Sequence, residues 1–161
     1  MRTYSFAPIS AREYPTVRLL DNPYIWGGVQ FCVNVSEKAY SNELTHALKQ
    51  HGIDWIFCPV SEEEGEQWLD SLVATLPKML VAYNSGLKQV VHCDFGSNRS
   101  RTFVEAFHFL LKGEHLADEY KGCFNHLAHN CTIGHLPSLV ETETIIRSLA
   151  ERYHLSNAKQ E

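Results

Sequence analysis

The stretch Val90-Val91-His92-Cys93-Asp94-Phe95-Gly96-Ser97-Asn98-Arg99-Ser100 decides how this chain reads. An apolar strand runs into a thiol, then into a loop around Gly96, then into a helix beginning near Arg99. A loop that closes onto a helix N-terminus turns several backbone N–H groups inward, where they bind a tetrahedral oxyanion. Arg99 adds a planar guanidinium able to hold two phosphate oxygens at once. The same positive field is expected to lower the pKa of Cys93, making its sulfur a thiolate nucleophile near neutral pH. Gly96 lets the backbone turn tightly and approach an anion closely. Asp94, Phe95, Ser97 and Asn98 are expected to contribute backbone N–H groups more than side chains. An arginine at a helix N-terminus opposes the dipole, and a local cost of that kind points to function at Arg99. Arg101 reads as a solvated surface group.

The offsets carry a resemblance. His92-Cys93-x-x-Gly96-x-x-Arg99-Ser100 resembles the phosphate-binding loop of the cysteine-based protein tyrosine phosphatases. The short chain points to their dual-specificity-like branch. The likeness is specific from about Ile53 to Phe109 and loose elsewhere. It implies that Cys93 attacks phosphorus to give a phosphocysteine intermediate and that Arg99 clamps the phosphate. It implies that Ser100 donates a hydrogen bond to the sulfur, and that His92 faces away from the nucleophile and braces the loop. No cofactor or metal is implied. Such enzymes place a general acid, usually Asp, on a loop roughly thirty residues before the nucleophile to protonate the leaving oxygen. The matching stretch here is Pro59-Val60-Ser61-Glu62-Glu63-Glu64-Gly65-Glu66, which contains no Asp. Glu62 falls at the acid's position without gaps, with Glu63 and Glu64 as alternatives. A solvated acidic run leading into a helix would look the same.

Outward from that stretch, the chain alternates strands and helices. Val29–Val35 and Lys88–His92 read as strands. The continuous apolar run Trp55–Val60 reads as a buried strand of a parallel sheet. Leu44, Ala47 and Leu48 mark a short helix ending at Gly52. Trp68, Leu72, Leu76, Leu80 and Tyr83 mark a longer one, which Pro77 is expected to interrupt. Phe103, Phe107, Leu110 and Leu111 mark the helix after the loop, and Leu116, Tyr120, Phe124 and Leu127 another. Ser138-x-x-Glu141 reads as the capping box of a last helix carrying Ile145 and Leu149. The pattern predicts an α/β single domain over 1–161, a mostly parallel central sheet flanked by helices around a strand–phosphate loop–helix core. Residues 1–25 read as an irregular lead-in, and 156–161 as a disordered tail. Ligands of such sheets bind at the carboxyl ends of the strands, where Cys93 lies.

Composition narrows the partners. A net charge of −5 on 161 residues gives no general attraction for nucleic acid, and no apolar run is long enough to span a membrane. The N-terminus lacks the apolar core of a secretory signal. Five irregularly spaced cysteines (Cys32, Cys58, Cys93, Cys123, Cys131) read as reduced thiols of a cytoplasmic protein. Cys123, His126, His129, Cys131 and His135 lie close together but lack a zinc-knuckle spacing, so no metal site is expected. The expected partner is a phosphorylated protein or small phosphomonoester, with no nucleic acid and no membrane. Oligomeric state is not encoded in any recognisable motif. Two functions compete: hydrolysis of phosphotyrosine, with phosphoserine and phosphothreonine as further candidates, and a phosphate-binding pseudophosphatase with little turnover. An arsenate reductase of the low-molecular-weight type fits badly, because its Cys-x5-Arg loop opens the chain.

Overall fold

The computed structural model describes residues 5–61, 65–94, 99–116 and 138–155. Its centre is one sheet. Four parallel strands, β2 (Ile9–Arg12), β5 (Lys88–His92), β3 (Val29–Asn34) and β4 (Asp54–Phe57), lie side by side in that order. A two-residue antiparallel strand, β1 (Ser5–Phe6), extends the β2 edge. Among the described residues, four helices flank the sheet: α1 (Asn42–Gln50), α2 (Gly65–Asn84), α3 (Arg99–Lys112) and α4 (Leu139–Arg152). This is the single α/β domain with a mostly parallel sheet that the alternation predicts.

Side chains alternate across the pleat, and the two faces build two cores. On one face Val33 and Val91 meet Trp68, Leu72 and Leu76 of α2, Phe103 and Phe107 of α3, and Ile146 and Leu149 of α4. On the other, Cys32 and Val90 meet Leu44, Ala47 and Leu48 of α1, together with Leu20, Trp26 and Ile53. β5 is central and buried from Gln89 to His92. Such strands need an apolar sequence because both faces are covered.

Local signals set the helix ends. Ser41 caps α1 by accepting from the Leu44 N–H, and Ser138 caps α4 by accepting from Glu141 N–H. After α1 and α2 the chain turns sharply at Gly52 (φ +69°) and Gly86 (φ +75°), left-handed conformations that suit glycine. Each turn leads directly into a strand. Beyond α3, His115 is pinned between Glu105 (2.7 Å) and Glu143 (3.2 Å), which ties the end of α3 to α4.

Three expectations need correction. The lead-in is not irregular throughout: Ile9–Arg12 is a full sheet strand, paired in parallel with Gln89–His92. β4 is an edge strand and not a buried one, with Phe57 40 % exposed. Its apolar run is continuous because Trp55 packs on the α1 side and Ile56 on the other. α2 is not interrupted at Pro77, since the helix continues to Asn84. The proposed helix through Tyr120, Phe124 and Leu127, the Cys/His group from Cys123 to His135, and the tail all lie outside the described residues. Among those described, no helix is long and apolar enough to cross a membrane.

Leu72 is fully buried between α2 and the sheet, whereas Val81 on the same helix is 67 % exposed. Leu72→Ala should therefore cost ~2–5 kcal/mol of unfolding free energy, and Val81→Ala less than ~0.5 kcal/mol. Urea denaturation of the two variants checks this.

Candidate active site

The carboxyl edge of the sheet gathers the groups singled out from sequence. β5 ends at His92, Cys93 follows it directly, and Arg99 and Ser100 open α3. Cys93 is 3 % exposed and its Sγ lies 3.4 Å from Ser100 Oγ, within hydrogen-bonding reach for sulfur. The strand and the helix thus bring thiol and hydroxyl together from opposite ends of the loop. Phe95, Gly96, Ser97 and Asn98 lie outside the described residues, as do Glu62, Glu63 and Glu64. Their expected roles as amide donors and general acid are not placed by the fold.

Arg99 is 7 % exposed, so its charge needs partners. Nη1 donates to the Val60 carbonyl at 2.9 Å, which ties the guanidinium to the segment after β4. Nη2 donates to Asp94 Oδ2 at 2.8 Å, and Glu37 Oε1 stands 3.9 Å from Nη1. Asp94 therefore acts through its side chain, contrary to the expectation that it offers mainly its backbone. The reason is reach: one residue past Cys93, its carboxylate folds onto the guanidinium that opens α3. Arg101 is half-buried and not a fully solvated group.

Behind the thiol, on the α1 side of the sheet, lies a buried polar chain. His92 Nδ1 is 3.3 Å from the Cys93 carbonyl, which can only accept, so Nδ1 carries the proton. Nε2 then accepts from Tyr40 Oη at 2.5 Å, and Tyr40 in turn accepts from the Cys32 thiol at 3.2 Å. Tyr14 completes the packing, its ring edge-on to those of His92 and Tyr40. Burial holds the His92 pKa down to about 4, against the opposing pull of the Cys93 carbonyl and Asp94. Burial pushes the Cys32 thiol up to about 12. Tyr14 is raised by burial first and by the Asp94 carboxylate next. His92 thus braces the Cys93 carbonyl as a neutral ring.

The loop after β3 forms the facing wall. Asn34, fully buried, accepts from Ser36 N–H and Oγ–H and donates to the Lys38 carbonyl at 2.8 Å. Tyr14 Oη donates to the same carbonyl at 3.1 Å, and Tyr14 N–H donates to the Asp94 carbonyl at 3.1 Å. These contacts hold Glu37 beside Arg99. Sequence reading missed Val60, Glu37, Asn34, Tyr14 and Tyr40. Asn34-Val35-Ser36 after a strand is a usable turn signal. A carbonyl such as that of Val60 leaves no trace in sequence.

No protein-family model and no curated protein matches the chain. Solved structures do. The chain is similar to Tk-PTP in its active form, with 17 % identity and a TM-score of 0.61 over 93 % of this chain and 97 % of that one. It is similar to PTPMT1 at 15 % identity and a TM-score of 0.62, covering 91 % and 94 %. It is also similar to the core catalytic domain of the PP-IP phosphatase SIW14 from S. cerevisiae, solved with citrate, at 14 % identity and a TM-score of 0.54, covering 92 % and 89 %. The chain has the fold of the cysteine-based protein tyrosine phosphatases. Cys93 follows β5 at the carboxyl edge of the sheet, and Arg99 and Ser100 begin α3.

Because the folded His92 pKa lies below its ordinary value of 6.5, the unfolded chain binds more protons between those two pH values. Stability from this group is complete above pH ~6.5 and falls as the pH drops toward 4. Wild type should lose ~2 kcal/mol between pH 6.5 and pH 5 relative to His92→Asn, whose chemical-denaturation profile should be flatter by that amount. Parallel profiles for the two proteins would contradict a buried neutral imidazole.

Proposed function

We propose that this protein is a cysteine-dependent phosphomonoester hydrolase acting on phosphotyrosine, with phosphoserine and phosphothreonine as further substrates. One observation carries the reading: the buried Cys93 sulfur meets Ser100 Oγ at 3.4 Å, where β5 gives way to α3 and its leading Arg99. A nucleophile, a group to steady it and a cation for the phosphate are in one place.

In the proposed reaction the Cys93 thiolate attacks phosphorus in line with the ester oxygen. The S–P bond forms as the O–P bond breaks. Arg99 offers guanidinium N–H donors to the phosphoryl oxygens, which gather charge in the transition state. Glu62 passes its proton to the departing oxygen. The resulting carboxylate then takes a proton from the water that hydrolyses phosphocysteine, which returns the thiolate and inorganic phosphate. Ser100 stabilises the sulfur as attacker and as leaving group. The reaction needs no cofactor. A reducing, cytoplasmic setting would keep the sulfur competent.

A second reading, a phosphate-binding module with little turnover, draws on two features. Asp94 already occupies Arg99 Nη2, and the acid segment contains no Asp. Hydrolysis of para-nitrophenyl phosphate by wild type and Cys93→Ser separates the two. Cys93→Ser should abolish turnover while keeping vanadate binding, and turnover retained in that variant would refute the nucleophile. Arg99→Ala should weaken vanadate binding by at least ~10-fold. Glu62→Gln should slow alkyl phosphopeptides far more than para-nitrophenyl phosphate, whose good leaving group needs less protonation. If Glu63→Gln or Glu64→Gln shows that pattern instead, the acid is assigned to the wrong glutamate. A binding module would show no turnover in wild type and unchanged anion affinity in Cys93→Ser.

A further inference from the structure

We propose that Asp94 and Glu37 act as a charge filter on this site. They favour a lone phosphate on a carrier without further anionic groups and disfavour pyrophosphates and polyphosphorylated rings. The inference rests on the reading that the Cys93–Arg99 site binds phosphate.

The geometry around Arg99 supports this. The guanidinium is 9 % exposed at its side chain, while Asp94 and Glu37, at 46 % and 65 %, face the solvent from which a ligand arrives. One cation therefore stands beneath two carboxylates. Asp94 Oδ2 sits 2.8 Å from Nη2, so an incoming phosphate must share that edge or displace the carboxylate. A displaced Asp94 cannot go far, because its backbone adjoins Cys93 and its carbonyl is held by Tyr14 N–H. Glu37 lies between Ser36 and Lys38, whose turn the Asn34 side chain holds on the other side of Arg99. Lys38, next to it in sequence, turns its ammonium onto the Tyr14 ring, 5.0 Å from the centroid.

A single phosphate gains the Arg99 contact and meets this repulsion once. Each further phosphate on the same carrier brings more negative charge against the same two carboxylates, within the ~8 Å over which physiological salt leaves charges unscreened. Discrimination follows from this repulsive element as much as from the attractive one.

The test uses the full chain carrying Cys93→Ser, with phenyl phosphate and inositol hexakisphosphate as probes and calorimetry as readout. Adding Asp94→Asn or Glu37→Gln should each raise the affinity ratio of hexakisphosphate to phenyl phosphate by about tenfold, the scale of one surface charge pair. Glu151→Gln, an equal charge change on the exposed last turn of α4, should leave the ratio unchanged. Raising salt from low to high ionic strength should erase most of the difference, which a merely structural role for Asp94 would not do. Asp94→Ser guards against a conformational effect of the amide and should behave like Asp94→Asn. A ratio that moves no more with Asp94→Asn, Asp94→Ser and Glu37→Gln than with Glu151→Gln overturns the filter while leaving the phosphate site standing. Phenyl phosphate that fails to bind, with or without Arg99→Ala, removes the phosphate site itself and the filter with it.

Discussion

A single guanidinium organises the carboxyl edge of this sheet. Arg99 is carried inward by the first turn of α3, and a permanent charge so placed must find partners or cost several kcal/mol. It finds them on three separate segments: the Val60 carbonyl after β4, Asp94 after β5, and Glu37 after β3. Three strand ends are thereby drawn toward one point. Removing that cation would leave two carboxylates facing each other across an unfilled site, so the same residue that would hold a phosphate also holds the pocket's walls.

The strict alternation of β5 then divides the labour. Val90 faces α1, Val91 faces α2, α3 and α4, and His92 returns to the α1 side. Cys93 belongs to the same core as Val91. A slip of one residue in the pairing of β5 would exchange the positions of thiol and imidazole. The parallel partners on both sides, β2 and β3, prevent that slip by fixing the register at Arg12 and Asn34 opposite His92. Behind the loop, the sequence of Cys32, Tyr40 and His92 leaves the neutral ring one donor, and it points at the Cys93 carbonyl.

Much of this was legible in the residues. β5, the thiol and α3 follow from an apolar run, a glycine-containing loop and aromatic spacing on the next helix. Gly52 and Ser138 punctuate the helices by chemistry that acts within a few residues. What escaped depends on partners distant in sequence. Ile9-Ser10-Ala11-Arg12 is short, with three of its four residues small or polar, and it becomes a strand only by pairing with Gln89–His92. Trp55–Phe57 has the composition of a central strand, yet position in the sheet is set by topology and not by composition. The offsets around Cys93 said nothing of where the Asp94 carboxylate turns. Position in a motif fixes the backbone, while a short charged side chain answers to the nearest opposite charge.

The pairing of Ile9–Arg12 with Gln89–His92 also bears on how the protein comes to be made. The strand beside β5 on the β2 side is synthesised well before Cys93, and the corner around Asn34 soon after it. On the ribosome, both therefore precede Cys93 into the open. The sulfur of Cys93 therefore gains its bracing only when β5 docks between β2 and β3, segments already translated by then.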